Sequence, residues 1–149
     1  MPYLWTDTET IQNYIGNATI EIGDTDADNF STASAQQHEN DAVDEISHLI
    51  GIAWSGLETL TPENAPGVLK RMAARLTAAK IGVSVVGAAL GDMPGWCILY
   101  RKEVFSQIRR MLLSWKTTNL SPLTVRSDVT LQDVMIKGKI REFEEEATD

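Results

Sequence analysis

No lysine or arginine occurs before Lys70, while Met1 to Leu69 holds 12 acidic residues. A front half of charge −12, on a chain that is acidic overall, argues against nucleic-acid binding as the main task. Cysteine is nearly absent: the lone Cys97 excludes an internal disulfide and fits a reducing compartment. No apolar run approaches the roughly 18 residues of a membrane span, so no membrane partner is expected. The opening MPYLWTDTETIQ lacks a basic n-region and an apolar h-region, so no signal peptide is expected. No Gly-Lys-Ser/Thr follows Gly82 or Gly87, and no Ser-His-Asp arrangement is recognisable, so neither a phosphate loop nor a serine hydrolase is indicated. No enzymatic activity and no cofactor are expected.

What is present is organised around Ala65 to Trp115. From Lys70 to Lys116 the chain carries nine basic residues against Asp92 and Glu103. From Thr117 to Asp149 acids lead again, seven to four. Such segregation points to contact between unlike faces, within the chain or between subunits; a solvated acidic surface is the plainer alternative.

The periodicity predicts a mainly α protein, a small bundle of about four helices with an extended, partly β C-terminal arm. Thr6 and Glu9 have capping-box spacing, and Leu4, Ile11, Tyr14 and Ile15 give a short apolar face ending at Gly16. Ala18 to Ile22 reads as a short strand or an extended link. Ser31 or Thr32 caps a second helix reaching about Ile50, with Ala42, Val43, Ile46, Leu49 and Ile50 inside and Glu39, Asp41, Asp44 and Glu45 outside. Trp54 and Leu57 are expected to pack back onto the core. Asn64 is placed to cap a third helix with Pro66 in its first turn. That helix buries Val68, Leu69, Met72, Ala73, Leu76 and Ala79, and an apolar segment, Ile81 to Leu90, extends it. Gly91 to Gly95 (GDMPG) reads as a turn. A fourth helix follows, from about Trp96 to Trp115.

Beyond Thr117 apolar residues are too sparse for a separate core. Residues 1–116 therefore read as the helical domain, with an acidic N-terminal segment 1–31, and residues 117–149 as an arm or tail. Val134, Ile136 and Ile140 suit strand addition to a partner, and a disordered tail is the other reading.

Two motifs carry possible metal chemistry. Asp24, Asp26 and Asp28 have the alternate spacing of a calcium loop, but Asn29 replaces the glycine and Ala35 the final glutamate, so a solvated loop is expected. Glu45 and His48 form a single Glu-x-x-His, where a helical di-iron site needs two copies and further carboxylates. A surface histidine on an acidic face is the expected reading, and His38 offers no better ligand set. Cys97 stands near a helix start, where a thiol can be activated, yet a buried structural role is expected.

The order of elements carries a resemblance. A helix with Ala42 and Ile46, a proline loop into Pro66 and Val68-Leu69-Lys70-Arg71-Met72-Ala73, an alanine-rich helix, a glycine/proline interruption, and a helix from near Tyr100 and Glu103 to Met111-Leu112-Leu113 follow in turn. From about Thr32 to Trp115 this resembles the head–tail connector (adaptor, head-completion) proteins of tailed bacteriophages. The resemblance implies a structural virion protein of the neck, assembled in the host cytoplasm as a ring, commonly of twelve copies, between the portal protein and a tail terminator or the next neck component. DNA would pass through its channel without sequence-specific binding. On that view Arg71, Arg75, Arg109 and Arg110, with Val134, Ile136 and Ile140 of the arm, are expected at subunit or portal contacts. Glu39, Asp41, Asp44 and Glu45 are expected to face the channel. The alternatives are a ferritin-like metal-binding enzyme built on Glu45 and His48, and a phage DNA-packaging or nucleic-acid-binding helical protein using the same arginines.

Overall fold

A helix with alanine at four of seven consecutive positions (Ala73, Ala74, Ala78 and Ala79 lie within Ala73–Ala79) lets neighbours approach closely from several sides. In the computed structural model, which describes residues 2–15, 19–21, 29–84 and 95–134, that helix is the centre of the protein. The chain runs through α1 (Thr8–Ile15), β1 (Thr19–Glu21), β2 (Asn29–Ser31), α2 (Thr32–Ile50), β3 (Trp54–Ser55), a 3-10 turn (Leu57–Thr59), α3 (Gly67–Gly82), α4 (Gly95–Leu113) and β4 (Thr124–Val125). The architecture is mainly helical, as expected for a small bundle. α1, α2 and α4 all pack on α3, whereas α2 and α4 meet each other more sparingly. β1 pairs in parallel with β2, Thr19 opposite Asn29, and β3 pairs antiparallel with β4, Trp54 opposite Val125.

α3 divides the interior. On one side Leu69, Met72, Ala73 and Leu76 join Ile46, Ile50, Trp54, Val104, Ile108 and others in the main core. On the other, Ala74, Ala78 and Ile81 meet Ile11, Ile15 and Ala35 in a second cluster. Tyr100 closes that cluster edge-on against Tyr14 and Trp96, with ring centroids 5.8 and 5.5 Å away. Each fully buried Leu, Ile or Met contributes about 1.5–3 kcal/mol. The buried Thr77 hydroxyl donates to the Ala73 carbonyl at 2.6 Å and so adds no unmet polar group.

The helix starts follow local chemistry, in two places shifted from expectation. α1 is capped by Asp7, not Thr6: Asp7 Oδ1 accepts from the Thr10 N–H at 2.8 Å. Thr6 is buried, drawn inward beside Trp5. Ser31 caps α2 as expected, accepting from the Ser34 N–H at 3.1 Å. α3 begins after Pro66 without a side-chain cap. The Asn64 side chain turns back instead and accepts from the Thr61 N–H at 2.6 Å, closing the preceding loop. Gly56, at φ +94°, makes the left-handed turn out of β3 that a side chain would strain.

At Gly82 the first turn of α4 lies directly against α3. A methyl group there would overlap Cys97 Sγ and the Trp96 ring. The Gly82→Ala variant is therefore expected to lose about 1–3 kcal/mol through overpacking, read as a thermal midpoint several degrees lower. An unchanged melt would mean that Trp96 moves aside freely.

The segment after α4 differs from the expected projecting arm. It includes the short strand β4, but residues 131–134 are helical, so Val134 is not strand-like as expected, and between Thr117 and Val134 the segment lies on its own helical body. Leu120, Leu123 and Val134 are buried in the main core. The Arg126 N–H donates to the Ala53 carbonyl at 2.8 Å, and its Nε donates to the Gly51 carbonyl at 3.0 Å. The physical reason is that sparse apolar residues need no core of their own when the body offers one. Ile136 and Ile140, the Asp24–Asp28 loop, most of the Gly91–Gly95 turn and the end of the apolar segment lie outside the described residues.

Candidate functional site

The helical period sorts the charges of α2 and α4 into inward, lateral and outward sets. Glu39 is inward. It shares a stripe with Ala35, Ala42, Val43 and Ile46 and is fully buried. Its Oε2 accepts from the N–H groups of Leu4, Trp5 and Thr6 at 3.1, 2.7 and 3.2 Å, and Oε1 accepts from Leu4 at 3.0 Å. Three successive backbone donors form an anion nest, which ties the segment before α1 onto α2. Next to it, Asn40 Nδ2 donates to the Pro2 carbonyl at 3.0 Å. Burial pushes the Glu39 carboxyl above its ordinary range, against the pull of the Trp5, Leu4 and Thr6 N–H groups. The expectation that Glu39 faces a channel is corrected: it is interior, and its function is to hold the N-terminal segment.

Glu45 is lateral. It forms ion pairs with Lys80 of α3 at 2.5 Å and with Arg101 of α4 at 3.5 Å. The Arg101 guanidinium also lies over the Phe105 ring, 4.8 Å from its centroid. Glu45 thus joins three helices through two cations and does not present a free carboxylate to a channel, a second correction. The same pairing bears on the Glu-x-x-His motif. His48 is exposed one turn on, and an open hollow of about 450 Å³ runs over Asp44, Glu45, Ser47, His48 and Leu49. Both Glu45 oxygens already face cations, and no group of three His, Cys, Asp or Glu among the described residues is arranged to hold a metal. His38 is half-buried, and burial lowers its pKa, with Asp41 pulling the other way. Cys97 lies in the first turn of α4, but burial pushes its thiol up to about 11, which makes it a poor nucleophile at neutral pH.

The basic residues divide similarly. Arg75 pairs with Glu103 at 3.3 Å and lies over the Tyr14 ring at 5.3 Å, so it stitches α3 to α4 and α1. Arg75 is thus already engaged within its own chain, with its side chain partly exposed. Lys70 pairs with Asp7 at 2.9 Å. Arg71, Arg109 and Arg110 are exposed. Val134 is buried within its own chain and cannot also serve a neighbour, which corrects the last of the described contact assignments.

The Asp7 pair has a testable pH signature. Partial burial raises the Asp7 pKa, but Lys70 and the Thr10 N–H and hydroxyl outweigh it, and the carboxyl titrates below its ordinary value. A depressed acid contributes stability above its unfolded pKa and loses it as pH falls through the folded one. Asparagine keeps the cap, so Asp7→Asn isolates the ion pair. The variant is expected to be less stable by no more than about 1 kcal/mol at neutral pH, since both partners are partly exposed. The gap should close as acid protonates Asp7. A gap that persists in strong acid would assign the effect to packing.

What remains outward on the two long helices is of opposite charge. Along α2 the exposed stripe is Ser34, Gln37, Asp41, Asp44 and His48, without lysine or arginine. Along α4 it is Leu99, Lys102, Ser106, Arg109 and Leu113, with Ile98 and Arg110 beside it and no acid on it. Leu99 and Leu113 are half exposed, at 52% and 50%. Both stripes advance by three, four, three and four residues, the period of a helix edge presented to one neighbour.

The chain matches no protein-family model, and no curated protein or solved structure is significantly similar to it.

Proposed function

We propose that this chain is a structural head–tail connector subunit of a tailed virus, without enzymatic activity, forming a ring between the portal protein and the tail. The ring would extend the DNA channel and dock a terminator or the next neck protein. It would work in the virion neck after assembly in the host cytoplasm. The observation that supports this reading is the order and packing of the helices. A long α2, a proline-led and alanine-rich α3, and a long α4 follow in the order on which the resemblance to connector proteins rests, and α3 is the buried hub of the bundle. With Glu39 and Glu45 used internally, Asp41 and Asp44 are the acids of the expected channel set that still reach the surface.

Native mass measurement of the full chain, alone and mixed with the portal protein of the same viral genome, tests the proposal. A closed oligomer, or a monomer that joins the portal ring, is the expected result. A protein that neither self-assembles nor joins the portal at any salt concentration would overturn it, and a stable dimer with stoichiometric iron or manganese would favour the ferritin-like alternative. A duplex-binding titration that is steep in salt and abolished by charge reversal at Arg109 and Arg110 would favour the nucleic-acid alternative.

A further inference from the structure

α4 keeps an outward face that its own bundle does not cover. Its inner residues, among them Val104, Ile108 and Leu112, are buried, whereas Leu99 and Leu113 are half exposed. The two leucines stand two heptads apart with Ser106 midway, so they lie on one side of the helix, about 21 Å apart at 1.5 Å per residue. Arg110 is exposed beside them. We propose that this face is the docking site of the chain's own acidic end, Glu142 to Asp149, with Phe143 set against the leucines and the acids against Arg110. The contact is made within one subunit and does not depend on the ring reading.

Charge selects the occupant. α4 carries four bases, Arg101, Lys102, Arg109 and Arg110, against the single acid Glu103. Most of these are already engaged: Arg101 meets Glu45, Glu103 meets Arg75, and Lys102 and Arg109 have partners too. The direct contacts left to an incoming segment are therefore Arg110 and the two leucines. The last eight residues of the chain carry five acids and no base. The other long outward face, on α2, carries Asp41 and Asp44 without lysine or arginine, and so repels the same segment. Phe143 stands inside the acidic run, between Glu142 and Glu144, so an apolar and several anionic groups come together there, as leucine and arginine do on α4.

The point at which the chain leaves the body puts the face within reach. Val134 is buried in the main core, to which α4 contributes Ile108, Met111 and Leu112. A reciprocal cap fixes this exit: the Thr130 N–H donates to Asp133 Oδ2 at 3.1 Å, and the Asp133 N–H donates to Thr130 Oγ1 at 3.2 Å. Phe143 follows nine positions after Val134, a reach of up to about 30 Å, which exceeds the separation of the two leucines. Tethering over so short a length gives an effective concentration of about millimolar, so even a contact of modest intrinsic affinity is largely formed. The face then opens to another protein only when the acidic end leaves it.

A nitroxide on the full chain tests this. Ala147→Cys supplies the attachment point, and Cys97 is buried and stays unlabelled. Backbone amide signals are recorded from isotope-labelled protein. The outward positions of α4 from Leu99 to Leu113 are expected to broaden, independently of protein concentration, while Asp41 and Asp44 of α2 stay sharp. A second variant adds Glu144→Lys, Glu145→Lys and Glu146→Lys to the same labelled chain and is expected to lose most of the broadening, because like charges then meet. Broadening that is absent from α4, spread equally over α2, or unchanged by the charge reversal overturns the proposal. So does broadening that is as strong when one copy carries the nitroxide and another the isotope, since the acidic end then docks on a neighbour. None of these results touches the ring reading, which native mass decides on its own.

Discussion

Glu39→Ala is expected to destabilise the protein by about 3–5 kcal/mol, the loss typical of removing one side of a buried charged network. That is a large part of the 5–15 kcal/mol on which a domain of ordinary stability depends. The carboxylate is the acceptor for the N–H groups of Leu4, Trp5 and Thr6, and Trp5 and Thr6 are buried. Alanine would leave these donors without a partner and open a cavity beneath them, and each unmet buried donor costs about 1–3 kcal/mol. The loss is expected to propagate, since Trp5 belongs to the main core and α1 follows directly. Glu39→Gln keeps one carbonyl acceptor but turns an amide toward the other donors, so its cost should fall between alanine and the wild type. The sign of the pH dependence follows from the raised pKa. The folded chain holds this proton more readily than the unfolded chain, so the Glu39 contribution is full below the ordinary carboxylate pKa and declines as pH rises through the folded one. The stability gap between the wild type and Glu39→Ala should therefore widen on acidification. Denaturant melts across pH check both statements; a variant within about 1 kcal/mol of wild type would show that the nest is filled by water at little cost.

Glu39 also shows what a sequence hides. Grouped by residue type it stands with Asp41, Asp44 and Glu45. Grouped by helical position it stands three and four residues before Ala42 and Val43, and seven before Ile46, in the apolar stripe. An acid in that register is a sign of a buried carboxylate with backbone partners, and the three donors, more than 30 residues earlier in the chain, are what periodicity cannot supply. The helices themselves were legible because α2 and α4 repeat their apolar residues at the helical period and α3 combines a proline start with close-packing alanines. The pairing of Arg75 with Glu103 and of Glu45 with Lys80 was not legible, because it depends on which helices become neighbours. The same limit applies to Asp7, whose advantage over Thr6 as a cap comes from the burial of Thr6 beside Trp5 and from a lysine 63 positions away. The outward stripes are the opposite case: once the buried positions are fixed, the remaining positions of α2 and α4 follow from the 3.6-residue repeat.

Truncation after Lys116 is expected to unfold the helical body or leave it without a cooperative melt. Judged by composition alone, the last 33 residues would be dispensable, because their apolar residues are few. The structure places three of those few, Leu120, Leu123 and Val134, in the main core, where they touch the cluster that includes Trp54, Met111 and Trp115. Each large-to-small loss at such a site costs about 2–5 kcal/mol, so removal of three is as large as the whole margin of a typical domain. The cut would also remove β4 from β3 and the two Arg126 hydrogen bonds to the Gly51 and Ala53 carbonyls just after α2. Single substitutions separate packing from chain length: Leu120→Ala and Leu123→Ala should each lower stability by about 2–4 kcal/mol. A stop after Val134 is expected to retain a cooperative melt, since everything named here lies before it. If the chain cut after Lys116 kept both its helical circular dichroism and a cooperative melt, the segment would be a detachable arm, free to find its apolar partners on another subunit. If only the shorter chain unfolds, then any part of the C-terminus that reaches toward a portal or a neighbouring copy must begin beyond Val134, and the body that carries the α2 and α4 stripes extends to that residue.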